Sequence, residues 1–172
     1  MDWRLRRAEP ADAAAAAMVA TASFMAAFHD DLAIGDMIAH CEANCSAAKF
    51  AGWLGDGETV VTLAEHPGTG VPVAYSVLTR PDLPVAAEEA DIELRRIYLM
   101  AVAIGSGLAG RLIARAIEDA RALGRRRMLL GVYGGNARAQ RFYAKQGFSV
   151  VGERKFKVGA TWHDDLVFAR DL

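Results

Sequence analysis

The run Gly105–Ser106–Gly107–Leu108–Ala109–Gly110 joins three glycines to the predicted start of a helix. A helix's first turn carries unpaired N–H donors and the positive end of the macrodipole, so it attracts anions. Glycine lets that backbone come close to a phosphate. The run lies between two strand-like segments, residues 92–100 and 128–133. The chemistry it offers is retention of a phosphorylated cofactor between two strands. Arg138, Arg141 and Lys145 follow on a short helix, as cations for those phosphates or as solvated surface. His40, Cys41 and Cys45 are metal ligands by type. They lack a second ligand pair at zinc-like spacing, and His29, His66 and His163 are scattered, so they are read as helix packing and no metal is expected.

The elements that must position this loop are legible from periodicity. Residues 3–7 alternate as a strand, and residues 11–28 form a helix introduced by Pro10. A second helix is expected over residues 36–54. Residues 59–64 and 71–78 form a strand pair joined by Pro67–Gly68–Thr69–Gly70. After a loop rich in Glu88, Glu89 and Asp91 comes the strand over residues 92–100, then a helix over 108–123. Leu108, Leu112, Ala116, Ala120 and Leu123 recur there at spacings of three and four. Residues 128–133 are apolar enough for a central strand. Asn136 suits the N-cap of a short helix ending near Gln146. Residues 148–151 and 161–169 close the sheet. The order predicts a mixed α/β fold in one domain spanning residues 1–172.

Composition narrows the partners. The net charge is −1, which argues against a general nucleic-acid binder. The N-terminus lacks signal-peptide architecture, and no stretch reads as the ~20 apolar residues that span a bilayer. A cytoplasmic location, with neither nucleic acid nor membrane as partner, is the expectation.

Two motifs together resemble the GNAT family of N-acetyltransferases. The family's pyrophosphate loop, Gln/Arg-x-x-Gly-x-Gly/Ala, falls on Ile104 to Ala109. Its second motif, an Asn followed by Phe-Tyr-x-x-x-Gly-Phe, falls on Asn136, Phe142, Tyr143, Gly147 and Phe148. Residues 6–13 also look like the family's opening. Ile104 stands where the family usually carries Gln or Arg, and Ala101 where relatives often carry Pro. A polar side-chain contact to the cofactor is therefore missing. The segments 23–28, 93–98 and 164–166 resemble bacterial Pai-type polyamine acetyltransferases.

The resemblance implies a GNAT fold of about seven strands with helices on both faces, acetyl-CoA as cosubstrate, and acetyl transfer to a primary amine through a tetrahedral intermediate. It implies that residues 104–110 hold the diphosphate and that a backbone N–H near Ile97, Tyr98 or Leu99, at a bulge, stabilises the oxyanion. Tyr143 would protonate the departing thiolate, or else pack beside Phe142. Glu93 would act as general base, or else pair with Arg95 or Arg96 on the strand surface. Asn136 would bond the pantetheine arm or serve only as an N-cap. Lys145 is the cation of its helix expected to reach the cofactor.

The acceptor is expected between the first helices and the loop after the third strand. Asp30, Asp31, Asp36, Glu88, Glu89 and Asp91 there would form an acidic rim suited to a polyamine, while Phe24, Phe28 and Met37 would line an apolar slot or pack in the core. Peptide N-termini, amino-acid-like toxins and aminoglycosides are the alternative acceptors, and a non-catalytic coenzyme A-binding module is the alternative function. A dinucleotide-binding oxidoreductase is discounted, because Glu118 and Asp119 lie too close to the loop and within its helix. The resemblance also implies a homodimer contact across residues 162–169.

Overall fold

The computed structural model describes residues 2–158 and 161–172. Strands β1 (Arg4–Arg7), β2 (Val60–Glu65), β3 (Pro72–Thr79), β4 (Asp91–Leu99), β5 (Arg127–Tyr133), β6 (Ser149–Val158) and β7 (Thr161–Asp171) form one sheet in the order β1-β2-β3-β4-β5-β7-β6. Every neighbouring pair is antiparallel except β4 and β5. A parallel pair needs a crossover, supplied by α4 (Leu108–Ala122). Helices α1 (Ala13–Phe28), α2 (Ile34–Asn44) and α3 (Ala47–Gly55) cover one face, packing Val19, Phe24 and Phe50 against Leu63, Tyr75 and Val77. Helices α4 and α5 (Ala137–Lys145) cover the other, where Ile113, Ile117 and Tyr143 meet Leu94, Met128 and Leu130. This is the mixed α/β arrangement expected.

Strand β4 changes parity midway, and that change builds the site. Its apolar side chains on the α4 face are Ile92 and Leu94, then Ile97 and Leu99. The step from 94 to 97 is three rather than two. The register with β3 explains it: Val77 pairs with Arg96 and Leu78 with Leu94, leaving Arg95 as an extra residue. Such a bulge shifts the alternation by one position. Glu93, Arg96 and Tyr98 consequently face the α1–α2 side together. The bulge expected near Ile97 to Leu99 sits earlier, at Arg95.

Three other expectations are corrected. Residues 36–54 form two helices rather than one, because Ser46 caps α3 by accepting from Lys49 N at 3.2 Å. The closing strand expected over 148–151 runs to Val158, since it pairs with β7 as a long hairpin. Pro10–Phe28 is long and apolar enough, by length and composition alone, to cross a membrane. Its Ala16, Val19, Ala20, Ser23 and Phe24 are nonetheless buried in the fold. Strand β7 is paired by both β5 and β6 from Asp165 to Ala169 and by β6 alone before that, and its Val167, Phe168 and Ala169 are core residues. The outermost strand of the sheet at this end is β6.

The start of β4 is pinned by Asp91. Its carboxylate accepts from Arg127 Nη2 at 2.6 Å, Arg127 Nε at 3.0 Å and Glu88 N at 2.7 Å. The Arg127 guanidinium holds this buried carboxyl below the ordinary carboxylate value. A depressed native pKa contributes stability above the unfolded value of 3.8, and that stability is lost as pH falls through the lower native one. Asp91→Asn is expected to lower the unfolding free energy at pH 7 by about 3 kcal/mol, because Arg127 loses its buried partner. It should also flatten the acid limb of a denaturation series from pH 7 to 3. Parallel acid limbs for the two proteins would contradict this role.

Candidate active site

Strands β4 and β5 pair only through Asp91, Ile92 and Glu93, which face Arg127, Met128 and Leu129. Beyond that point they separate. Met100 N donates to Val73 O at 2.8 Å, so Met100, Tyr98 and Arg96 direct their backbone groups toward β3. Antiparallel alternation turns the backbone groups of Ile97 and Leu99 the other way, into the opening beside β5. Of the three backbone positions expected to face a cofactor, two thus open on the cleft. Tyr98 instead sends its side chain to the α1 face, edge-on to Phe24 and stacked with Tyr75.

The glycine run lies at the end of this cleft. Gly105 and Gly107 take φ of 80° and 81°, a region that strains any other L residue. Gly107 is the N-cap of α4. Ser106 Oγ donates to Ala103 O at 2.7 Å and accepts from Leu108 N at 3.4 Å, which fixes the turn. Among the described residues, the N–H groups of Gly105, Gly107, Ala109 and Gly110 have no acceptor. A Cβ added at Gly105, Gly107 or Gly110 would meet open space. The chain therefore offers unpaired donors on an accessible surface at a helix N-terminus, which fits a diphosphate. Ile104 exposes an aliphatic side chain and contributes no polar contact.

On the opposite side of β4 lies a cavity of about 180 Å³. Its walls include Phe24 and Phe28 of α1, His40 and Cys45 around α2, and Tyr75 of β3. Glu93, Arg96 and Tyr98 line it from β4. Glu93 is 3% exposed, so it is not a strand-surface residue. Its Oε2 accepts from Asp82 N at 2.8 Å and lies 3.5 Å from Arg95 Nη1. Its Oε1 has no partner among the described residues. Burial pushes its pKa up, against the opposing pull of the Asp82 N–H and Arg95. A buried carboxylate with one free oxygen in a cavity is equipped to take a proton.

Tyr143 is buried beside Phe142, Phe148 and Phe168. Its hydroxyl makes no hydrogen bond among the described residues. Burial, and then the Tyr98 phenol, raise its pKa and keep it protonated. Asn136 caps α5 by accepting from Ala139 N at 3.0 Å. Lys145 is exposed in the last turn of α5, where the helix dipole favours a cation. Arg138 is exposed in the first turn, where the dipole disfavours a cation.

The expected acidic rim does not form. Of its six acids, Asp31 alone lines the cavity. Asp91 is held by Arg127, and Met37 is core rather than wall. Arg95, Arg96 and Arg154 join the lining, with Asp165 paired to Arg154 at 3.1 Å. Sequence reasoning missed Arg96 and Tyr98 as cavity residues. The signal was the apolar spacing 92, 94, 97, 99, which marks the bulge. Among the described residues no cluster of three metal-ligating side chains occurs. Cys41 and Cys45 are free thiols, and Cys45 packs in the core.

A model of the Acetyltransferase (GNAT) family matches residues 23–148. An uncharacterized N-acetyltransferase of Mycobacterium tuberculosis is 37% identical over 161 residues, covering 94% of this chain and 98% of that protein. The PaiA N-acetyltransferase from Thermoplasma acidophilum, solved in complex with coenzyme A, matches with a TM-score of 0.80 at 17% identity over 100% of both chains. The protein yncA from Salmonella typhimurium, named a putative acetyltransferase and solved with its cofactor acetyl-CoA, matches with a TM-score of 0.68 at 23% identity, covering 100% of this chain and 95% of that one.

A carboxyl whose native pKa is raised gives stability that is fully present below the unfolded value and lost as pH rises through the native one. Ionised Glu93 therefore works against folding at neutral pH. Glu93→Gln keeps an acceptor for Asp82 N without the charge. Its melting temperature at pH 7.5 is expected to equal or exceed that of the wild type. A clear drop, measured by calorimetry, would show that Glu93 is a structural ion-pair member.

Proposed function

The chain belongs to the acetyltransferase (GNAT) family and is an acetyl-CoA-dependent N-acetyltransferase, and from that premise we propose that it acetylates the primary amine of a small acceptor held in the Glu93 cavity. The observation that carries this reading is that β4 serves both sides of the site. Its Ile97 and Leu99 backbone groups border the cleft that leads to the free amides of residues 105–110. Its Glu93 side chain lines the acceptor cavity.

Acetyl-CoA supplies an activated acetyl thioester. The amides of Gly105, Gly107, Ala109 and Gly110 hold its diphosphate, and Ile104 adds no polar side chain to that grip. An amine resembling that of lysine is neutral in only about one molecule in a thousand at pH 7.4. Glu93 takes the ammonium proton, directly or through one water, and its raised pKa suits that task. The nitrogen then forms its bond to the acetyl carbon as the carbonyl π bond opens onto oxygen, and the carbon–sulfur bond breaks when this tetrahedral intermediate collapses. The Ile97 and Leu99 N–H groups face the position where negative charge develops on the carbonyl oxygen, a contribution of ~2.7–4 kcal/mol for a preorganised donor. The protonated phenol of Tyr143 gives a proton to the departing sulfur, the second proton shed by the acylated nitrogen restores that phenol through water, and Glu93 releases its own proton to solvent.

A cationic polyamine, the acceptor that the Pai-type resemblance implied, has Asp31, Glu93 and Asp165 in its favour and Arg95, Arg96 and Arg154 against it, the last of these paired with Asp165. A non-catalytic coenzyme A-binding module finds support in Ile104, but leaves the buried Glu93 carboxylate and the unpartnered Tyr143 hydroxyl without a use.

Gly110→Ala separates folding from cofactor binding. The new methyl meets nothing in the free protein, and alanine favours a helix by about 1 kcal/mol over glycine. The variant should melt no lower than the wild type yet bind acetyl-CoA at least about tenfold more weakly in calorimetry. Unchanged affinity would move the diphosphate away from this loop. Thiol release with acetyl-CoA and a panel of primary amines tests the transfer itself. Tyr143→Phe should lose about a hundredfold in turnover with cofactor affinity retained. Glu93→Gln should lose the acid limb of the pH–rate profile. Wild-type rates in both variants would remove these residues from the mechanism.

A further inference from the structure

The cavity contains a cation that has no ion-pair partner among the described residues. Arg95 contacts Asp82 and Glu93, and Arg154 is paired with Asp165. Arg96, half-buried on the same wall, has no carboxylate partner among the described residues. Its Nη1 donates to Asn44 O at 2.6 Å, and its guanidinium lies 4.8 Å from the centroid of the Trp53 ring. The other side chains it bonds, Cys45 and Tyr75, are neutral, and the cavity's carboxylates are those of Asp31, Glu93 and Asp165. His40, stacked on Phe24 with ring centroids 3.9 Å apart, has its pKa lowered to about 4 by burial and then by Arg96. Burial keeps Cys45 a thiol and Tyr75 a phenol. A guanidinium carries five donors in a planar fork matched to a carboxylate. Desolvating such a charge without a counter-ion is costly.

The Arg95 bulge turns Glu93 and Arg96 toward one cavity, where a regular strand would have turned them to opposite faces. The wall thus presents a proton acceptor and, three residues on, an anion receptor. The volume of about 180 Å³ is well below the ~300 Å³ at which pockets for drug-sized ligands begin. That size disfavours an aminoglycoside. A polyamine would set further ammonium groups against Arg96.

We propose that the acceptor is a small amino acid or close analogue, with its carboxylate on the Arg96 guanidinium and its amine at Glu93. This inference rests on the transferase reading and narrows it. Arg96 is then a specificity-determining residue that acts on binding rather than on the proton transfers.

The test compares free L-amino acids with their own decarboxylated amines and carboxamides, with spermidine included, by acetyl-CoA-dependent thiol release. The wild type is expected to favour the carboxylate-bearing member of each matched set by roughly 10- to 100-fold in kcat/KM, the scale of one charge-assisted bidentate contact. Arg96→Gln should abolish that preference by raising KM with little change in kcat. Arg96→Lys, which keeps the cation but not the fork, should retain part of it. Calorimetry on coenzyme-free protein gives an independent readout: N-acetyl amino acids should bind Arg96→Gln at least tenfold more weakly than wild type. Wild-type preference for decarboxylated amines or spermidine would overturn the acceptor class and leave the transferase reading standing, as would a carboxylate preference that survives in both Arg96 variants. Absence of thiol release with every amine, from protein that binds acetyl-CoA, would overturn both.

Discussion

The site depends on how β4 pairs with its neighbours. On one edge, hydrogen bonding to β5 stops after Glu93, so the two parallel strands open and the Ile97 and Leu99 backbone groups are left for a ligand. On the other edge, the extra residue Arg95 shifts the register with β3 and reverses which side chains face which layer. The first irregularity opens a cleft that ends at the unpaired amides of the glycine loop. The second gathers Glu93, Arg96 and Tyr98 against α1 and α2. A regular strand in this place would have kept the sheet and lost both halves of the site.

Irregularity of this kind is tolerated because the surrounding fold holds it. Asp91 and Arg127 fasten the strand where the pairing with β5 begins. Ile97 and Leu99 regain the α4 face after the bulge and pack with Leu108 and Leu112. The charges in the cavity follow the same logic. Many are matched within the protein; among the described residues those with spare capacity include a carboxylate oxygen on Glu93, the carboxylate of Asp31 and the guanidinium of Arg96. Ionised Glu93 is held against its own desolvation, which favours proton uptake at a cost in stability. The Tyr143 ring is buried among Phe142, Phe148 and Phe168, and its phenol stays protonated.

Much of this was readable from the chain alone. Glycines at 105 and 107 followed by an amphipathic run gave the loop and α4, because positive φ and helical periodicity leave strong local marks. Asn136, Tyr143 and Phe148 marked α5 by their spacing. The division of residues 36–54 into two helices was legible only at Ser46, whose capping role depends on the chain turning there. The acidic rim failed because loop composition does not determine direction: Glu88 donates its N–H to Asp91, and Asp91 faces Arg127 rather than the cavity. Arg96 escaped notice because its orientation follows from a bulge, and a bulge shows in sequence only as a three-residue step among apolar positions.

The central claim, that the opening beside β4 and the loop at 105–110 form one continuous cosubstrate site, is tested most directly by following backbone amide resonances during a titration with acetyl-CoA. The amides of Gly105, Gly107, Ala109 and Gly110 are predicted to shift and gain exchange protection together with those of Ile97 and Leu99, in a single saturable event. Shifts confined to other surfaces, or changes at the loop without any at Ile97 and Leu99, would contradict it.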